Sequence, residues 1–521
     1  MKRTLNNIKL RFVQKIKFFP RFFILLFAVL GMSCNRFDVP DNADQLNVLP
    51  QIFPDYTNVA LPYNIAPPNF KVEENGNAYV ISIIGKNGES LVCKSKNGVA
   101  DIPIKKWKKI TDENKGEELK VNVAVEKDGI WQKYQSFEIF VAPHPINSHL
   151  SYRLINVGYI LWKKMGLYQR DITSFVERPI MLNRNSDGNC MNCHSYSDYN
   201  PGFFSFHMRG KHSGTIISTP DSVFKVETKT PYTLASGAYT AWHPQGKHVA
   251  FSVDVVRQFF HGVVKDNEVY DQASDLIVYD IEKNLVTTHP LVSTKLREVL
   301  PNWSPDGKHL YFAVAPSYYD SLNYDEVYYD LMRIEFDAAS NTFGKLDTVY
   351  QASKNKRTLS FPKISPDGKH ILFTDASHGY FTIYNQTSDL HLLNLATGAV
   401  EAYPFNSPAV ESYHEWSSNG RWVVFSSKRI DGLTTRPFIS YYDENGKWYK
   451  PFVLPQKDPL FYRSFNLNYN IPHLSDGTVT VNRQQLLKAV WGEAKQAQFD
   501  STVDVDALSG ASKIEKGTSL H

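Results

Sequence analysis

The chain has 521 residues, a formal net charge of +4, 13% aromatic residues and four cysteines. Seven of its basic residues (Lys2, Arg3, Lys9, Arg11, Lys15, Lys17 and Arg21) precede a short apolar run at 22–30, and no acidic residue comes before Asp38; removing residues 1–33 leaves a charge of −3. The basicity therefore belongs to a leader, which excludes a nucleic-acid footprint and leaves a mature chain sized for two or three domains.

The leader has a positive n-region and an h-region too short to span a bilayer. It ends in Leu30-Gly31-Met32-Ser33-Cys34, which resembles the lipobox of bacterial lipoproteins, although Gly31 stands where that pattern usually has Leu. The resemblance implies cleavage before Cys34, acylation of its sulfur and attachment to a membrane of the cell envelope without a transmembrane helix. A plain secretory signal with an incidental cysteine is the alternative. Residues 34–52 are polar and read as a tether.

Residues 53–142 predict short strands and turns. The expected strands are 77–84 and 90–94, then a hairpin of 119–126 and 130–141 turned by Asp128-Gly129, where tight hairpins need positive φ. This predicts an immunoglobulin- or fibronectin-like β-sandwich. In the segment 143–202 the period changes. Leu150, Leu154, Leu161 and Met165 fall near helical spacing, which predicts one or two helices.

These helices lead into Cys190-Met191-Asn192-Cys193-His194. Cys-x-x-Cys-His is the attachment motif of c-type haem: two thiols add across the haem vinyl groups, and the following histidine binds the iron. The motif implies one covalent haem c on Cys190, Cys193 and His194. A Cys190–Cys193 disulfide and the edge of a zinc site are the competing readings, but zinc asks for a second ligand pair, and no second Cys-x-x-Cys exists. With Cys34 given to lipid, Cys93 remains as a buried thiol.

For the second axial position the sequence offers Met208 and His207, with Met165, His212, His144 and His149 further down the order and an open or distant-ligand site as the alternative. Met208 stands where the repeats described next have Pro244, Pro305 and Pro366, and a turn gains nothing from methionine. It lies fourteen residues past His194. That is chain enough to fold back across a haem roughly 10 Å wide at about 3.3 Å per extended residue.

The rest carries an internal repeat. Trp242-His243-Pro244-Gln245-Gly246-Lys247-His248 recurs as Trp303-Ser304-Pro305-Asp306-Gly307-Lys308-His309 and as Ile364-Ser365-Pro366-Asp367-Gly368-Lys369-His370. It recurs more loosely from Trp416 to Trp422 and around Ser475-Asp476-Gly477. In each, an apolar strand ends in a turn where Pro fixes φ and Gly takes the strained position, and a second strand follows. Units of 50–60 residues with about four strands make propeller blades. Phe206 to His212 aligns as a further copy, which predicts six blades over 203–483, closed by pairing of 478–482 with the first; five remain if the short last spacing marks closing strands only. Residues 484–497 predict an amphipathic helix, and the remainder to 521 a disordered tail.

The Ser-Pro-Asp-Gly-Lys turns and the Ser388-Asp389-Leu390 strand resemble the propeller blades of TolB, a periplasmic protein of the Tol system. The order of lipobox, β domain, haem motif and propeller is similar to that of Bacteroidetes lipoproteins labelled TolB-like or cytochrome c-related. The TolB resemblance implies binding of an envelope partner and does not imply haem.

Enzyme signatures are missing. There is no Gly-x-Ser-x-Gly; His414-Glu415 opens like a zinc-peptidase helix, but Ser418 occupies the second histidine's place; no phosphate loop occurs. The Lys-His pairs and Asp306 and Asp367 read as turn and strand-end residues. The expectation is a mainly β, membrane-anchored electron carrier or redox sensor rather than an enzyme. Its alternative is a TolB-like binding module in which the haem is structural or absent.

Overall fold

The computed structural model describes residues 37–157, 164–259, 268–316 and 324–509. The expected leader, Cys34 and the end of the tail lie outside them. No helix among the described residues is long and apolar enough to cross a membrane.

The chain is mainly β. In the N-terminal region a seven-stranded sheet centres on Glu118–Lys127, which pairs with Ala78–Ile84 along its length. The predicted Asp128-Gly129 turn is present, with φ of 53° and 87°. A three-stranded sheet (Ile52–Phe53, Phe70–Val72, Val99–Ala100) lies apart from it. The helix Ile104–Glu113 is an element the sequence analysis did not anticipate. It buries Trp107, Ile110 and Thr111 on one face, and the Trp107 indole donates to the Ile65 carbonyl at 3.0 Å. Cys93 is buried as expected, and burial pushes its thiol up to about 11.

From residue 149 onward the strands form a ring. Its inner strands are Met191–Ser197, Ala238–Trp242, Arg297–Trp303, Thr358–Ile364, Glu411–Trp416 and Leu467–Ser475. Each packs on the next, and the last packs on the first. Two of the repeats lock to their predecessors through an indole. Trp303 donates to the Ala241 carbonyl at 3.0 Å and Trp416 to the Lys363 carbonyl at 3.2 Å. The turns behave as the sequence requires: Gly246, Gly307 and Gly368 all have φ of 71°. Asp306 and Asp367 are turn residues, each accepting from the serine two positions before it at 2.6 Å.

Two expectations fail here. Residues 149–182 are not helical: His149–Asn156, Met165–Asp171 and Glu177–Leu182 are antiparallel strands, with 158–163 outside the described residues. Leu150 and Leu154 suggested a helix because the first strand is buried on both faces, which erases the period of two. Closure also differs. The inner strand Leu467–Ser475 pairs with His149–Asn156, so the closing sheet takes three strands from before the repeats and one from their end. This pairing ties the two ends of the ring together.

The C-terminal helix runs from Arg483 to Trp491, shorter than expected, with an Asn482–Gln485 capping box. Beyond it, Lys495–Gln496 and Gln498–Phe499 add parallel edges to the outer strands Val223–Glu227 and Leu285–Thr287.

Candidate functional site

Every inner strand departs from regular pairing at one place. Cys193, Tyr239, Leu300, Phe361, Tyr413 and Ile471 have positive φ, between 41° and 57°. Ladder register shifts beside each of them. For Ile471, a β-branched residue, this is an unusual conformation. Each stands five residues before the position of the turn proline: Asp198, Pro244, Pro305, Pro366, Ser418 and Asp476. The repeat thus builds a collar of six left-handed residues around the axis, and bulges of this kind re-aim side chains.

This alignment corrects the placement of the haem motif. Cys193 and His194 do not lead into the first repeat; they form the collar of its inner strand. The copy aligned at 206–212 is displaced, because Asn200–Met208 is the second strand of that sheet. The motif is also extended rather than turned: Cys190 precedes the strand, and Cys193 occupies the bulge.

The collar lines a cavity of about 70 Å³. Cys193 and His194 face it, together with Tyr239, Lys363, Tyr413 and His473. His194 is 1% exposed, and neither ring nitrogen makes a hydrogen bond of good geometry, although the Ser151 backbone lies close enough to act on the ring. Burial first, and His473 second, hold its pKa well below the ordinary histidine value, so the ring is neutral at pH 7. Burial pushes the Cys193 thiol up, with Arg209 pulling the other way. Arg209 feels the charges of both Cys190 and Cys193, and its amide donates to the Cys190 carbonyl at 2.9 Å. The two sulfurs are not bonded to each other.

Three residues from consecutive inner strands form a charged chain two positions past the collar. Lys363 Nζ donates to Glu415 Oε2 at 2.8 Å, and His473 Nδ1 lies 3.2 Å from the same oxygen. Burial raises the Glu415 carboxyl, but Lys363 and His473 outweigh it and hold the group down to about 2. The His473 ring stands 5.3 Å, centre to centre, from that of His194. His414 also lines the cavity, with its Nε2 donating to the Leu372 carbonyl at 2.8 Å and its Nδ1 without a hydrogen-bond partner.

The expected second-ligand candidates do not reach this cavity. Met208 is fully buried in an apolar cluster with Met165, Met191, Phe204 and Phe206. His207 is buried 3.1 Å from Thr215 Oγ1, and burial lowers it to about 3. His212 packs on Trp491, while His144 and His149 bond to Tyr441 and Ser148. Met208 sat at a turn position only in the displaced alignment; paired opposite Met191, it is core. Lys363, Glu415 and His473 escaped notice because each was read within its own turn motif. The signal was available at a fixed place, two residues past the collar in each repeat.

Among the described residues no three His, Cys, Asp or Glu side chains are grouped to hold a metal ion. The donor set is thus one buried imidazole with a second beside it.

No known protein family and no curated protein matches the chain. Solved structures give distant likenesses. TolB from Acinetobacter baumannii is 13% identical, with a TM-score of 0.39 over 71% of this chain and 85% of that one. A Synechocystis apocarotenoid oxygenase mutant is 10% identical, with a TM-score of 0.37 over 83% and 97%. The nidogen–laminin complex gives 9% and 0.35 over 61% and 96%. The fold is read from this chain's own sheets, whose inner strands pack cyclically as in a β-propeller.

Proposed function

We propose that this chain is a lipid-anchored c-type haem protein of the cell envelope, serving electron transfer or redox sensing. In this reading Cys34 carries the lipid, and the ring is a six-bladed propeller that holds one haem in its axial cavity and docks a redox partner. The cyclic packing of the inner strands supports six blades rather than five. The immunoglobulin-like identity of the N-terminal sheets belongs to the same proposal.

The observation that carries the reading is His194. A buried imidazole without a good hydrogen bond on either nitrogen is costly unless something binds it. Here it follows directly on the attachment cysteines and faces a cavity whose free space, about 70 Å³, must widen to take a haem. Cys190, Cys193 and His194 would hold the haem, which supplies one-electron chemistry when bound. The chain's own contribution is to keep His194 neutral, to exclude water from it, and to place the Arg209 charge beside the two thiols.

The alternative is a TolB-like binding module whose haem is structural or absent. The extended form of the motif favours it. Expression with a cytochrome c maturation system decides between them. We expect a haem-stained band in a denaturing gel, lost in Cys190→Ala/Cys193→Ala. No band from the parent chain, or a denaturation-resistant haem in the double variant, would overturn the haem reading.

A further inference from the structure

We propose that the helix Ile104–Glu113 lays a lysine face on the anionic headgroup layer of the membrane that holds the chain, and so fixes how the molecule stands on that membrane. This rests on the lipid reading of Cys34 above and makes no use of the haem.

At about 100° per residue the helix has two unlike sides. Trp107, Ile110 and Thr111 are buried on one, while Lys105, Lys106, Lys108 and Lys109 cover the opposite half and are all exposed. Over residues 53–142 lysines and acidic residues are equally many, twelve of each, so four lysines within five positions are a local excess. Asp112 and Glu113 close the lysine half at its C-terminal end, where Lys115 takes Asp112 at 2.5 Å and Lys109 lies 3.8 Å from Glu113. Lys105, Lys106 and Lys108 have no carboxylate partner among the described residues.

Helix stability does not account for these charges. The macrodipole favours acidic residues in the first turn and basic ones in the last, and here the order is reversed, with Lys105 and Lys106 at the start and Asp112 and Glu113 at the end. The N-cap, Pro103, supplies no side-chain bond. Lys105 and Lys109 repel at i,i+4, and Lys105–Lys108 and Lys106–Lys109 at i,i+3. Burial of Trp107 and Ile110 holds the helix in spite of its charges.

The kind of charge selects the partner. Faces that bind proteins are built on Trp, Tyr and Arg and are poor in Lys. This one is lysine alone, a set of compact point charges suited to a charged layer rather than to a shaped surface. The helix also belongs to the domain that the lipid would hold. Phe37, about 10 Å of chain past Cys34, packs with Ala78, Ala124 and Trp131 of the seven-stranded sheet. Trp107 and Ile110 share a core with Ile81 and Leu91 of that sheet.

The test is co-sedimentation with lipid vesicles of the chain from residue 35 onward, which keeps every described residue and cannot be acylated. It should pellet with phosphatidylethanolamine vesicles that contain phosphatidylglycerol and stay in solution with phosphatidylcholine alone. It should come off as salt rises from about 0.1 M to about 1 M and the Debye length falls from about 10 Å to about 3 Å. Each lysine lost should weaken binding about fivefold, so Lys105→Gln/Lys106→Gln should weaken it about 25-fold. Lys354→Gln/Lys356→Gln removes the same charge from exposed positions on the ring and should bind as the parent does. No pelleting with the anionic vesicles, or equal losses in the two double variants, overturns the inference. Retention on poly-glutamate without vesicle binding overturns it in favour of an acidic protein partner. The lipid reading fails by a different result, a Cys34→Ala whole chain that stays on membranes after a salt wash.

Discussion

Two charged clusters lie on either side of the collar, and they meet burial in opposite ways. Past the collar, Lys363, Glu415 and His473 form a closed chain of partners, and Glu415 is held at about 2. The second is Asp254 and Asp271, buried close together on the paired strands His248–Phe259 and Glu268–Asp280, with the Tyr380 hydroxyl beside Asp271. Burial first, and Asp271 second, raise Asp254 well above the carboxylate range; burial raises Asp271, with Tyr380 and Arg297 opposing. Burial alone does not set the charge state. A cation 2.8 Å away keeps one carboxylate ionised, and a second carboxylate at close quarters keeps the other pair partly protonated.

The largest effect should come from taking the cation away. Lys363→Met leaves Glu415 buried with only His473 beside it. We expect a loss of about 3 kcal/mol in urea unfolding, the scale for breaking a buried pair. A loss below about 0.5 kcal/mol would mean that the pair behaves as a surface ion pair, and the contrast between the clusters collapses.

Removing one of the opposed carboxylates should act in the other sense. Because the folded-state pKa of Asp271 is raised, the folded chain binds more protons than the unfolded one above the ordinary carboxylate range. Its contribution to stability is therefore fully present at low pH and lost as pH rises through the raised value. The groups facing the pair are Arg209, Tyr239, Asp275, Arg297 and Tyr380. Asp271→Asn should be more stable than the parent at pH 8, by about 1 kcal/mol or more, and should flatten the fall in stability toward neutral pH. Equal or lower stability at pH 8 would show that the pair is compensated in the folded state.

The smallest effect tests the hydroxyl that bonds to Asp271. Tyr380 lies beside Asp271, and its hydroxyl is 3.3 Å from that of Tyr239. Tyr380→Phe should raise the Asp271 titration further, seen by carboxyl infrared titration, and change stability by about 1 kcal/mol or less. A lowered titration would mean that the phenol opposes the ionised form.

Much of this molecule was legible residue by residue. The Asp128-Gly129 hairpin, the Ser-Pro-Asp-Gly turns and the strand that follows each turn are local. Their φ values and side-chain bonds are set within a few residues, so the sequence alone determined them. Cys190, Cys193 and His194 were equally visible, since a motif is a local pattern. Tertiary structure decided what those residues share a cavity with. His149–Asn156 is a strand because Leu467–Ser475 arrives more than three hundred residues later to pair with it, and burial on both faces hides its period. His473 comes within 5.3 Å of His194 for the same reason: the closing strand brings the last repeat against the first. Met208 looked free to bind iron in one dimension and is core in three, because pairing opposite Met191 turns it into the apolar cluster. Local conformation depends on near neighbours and can be read along the chain. A site made by ring closure depends on which distant strands meet, and no stretch of sequence by itself contains that.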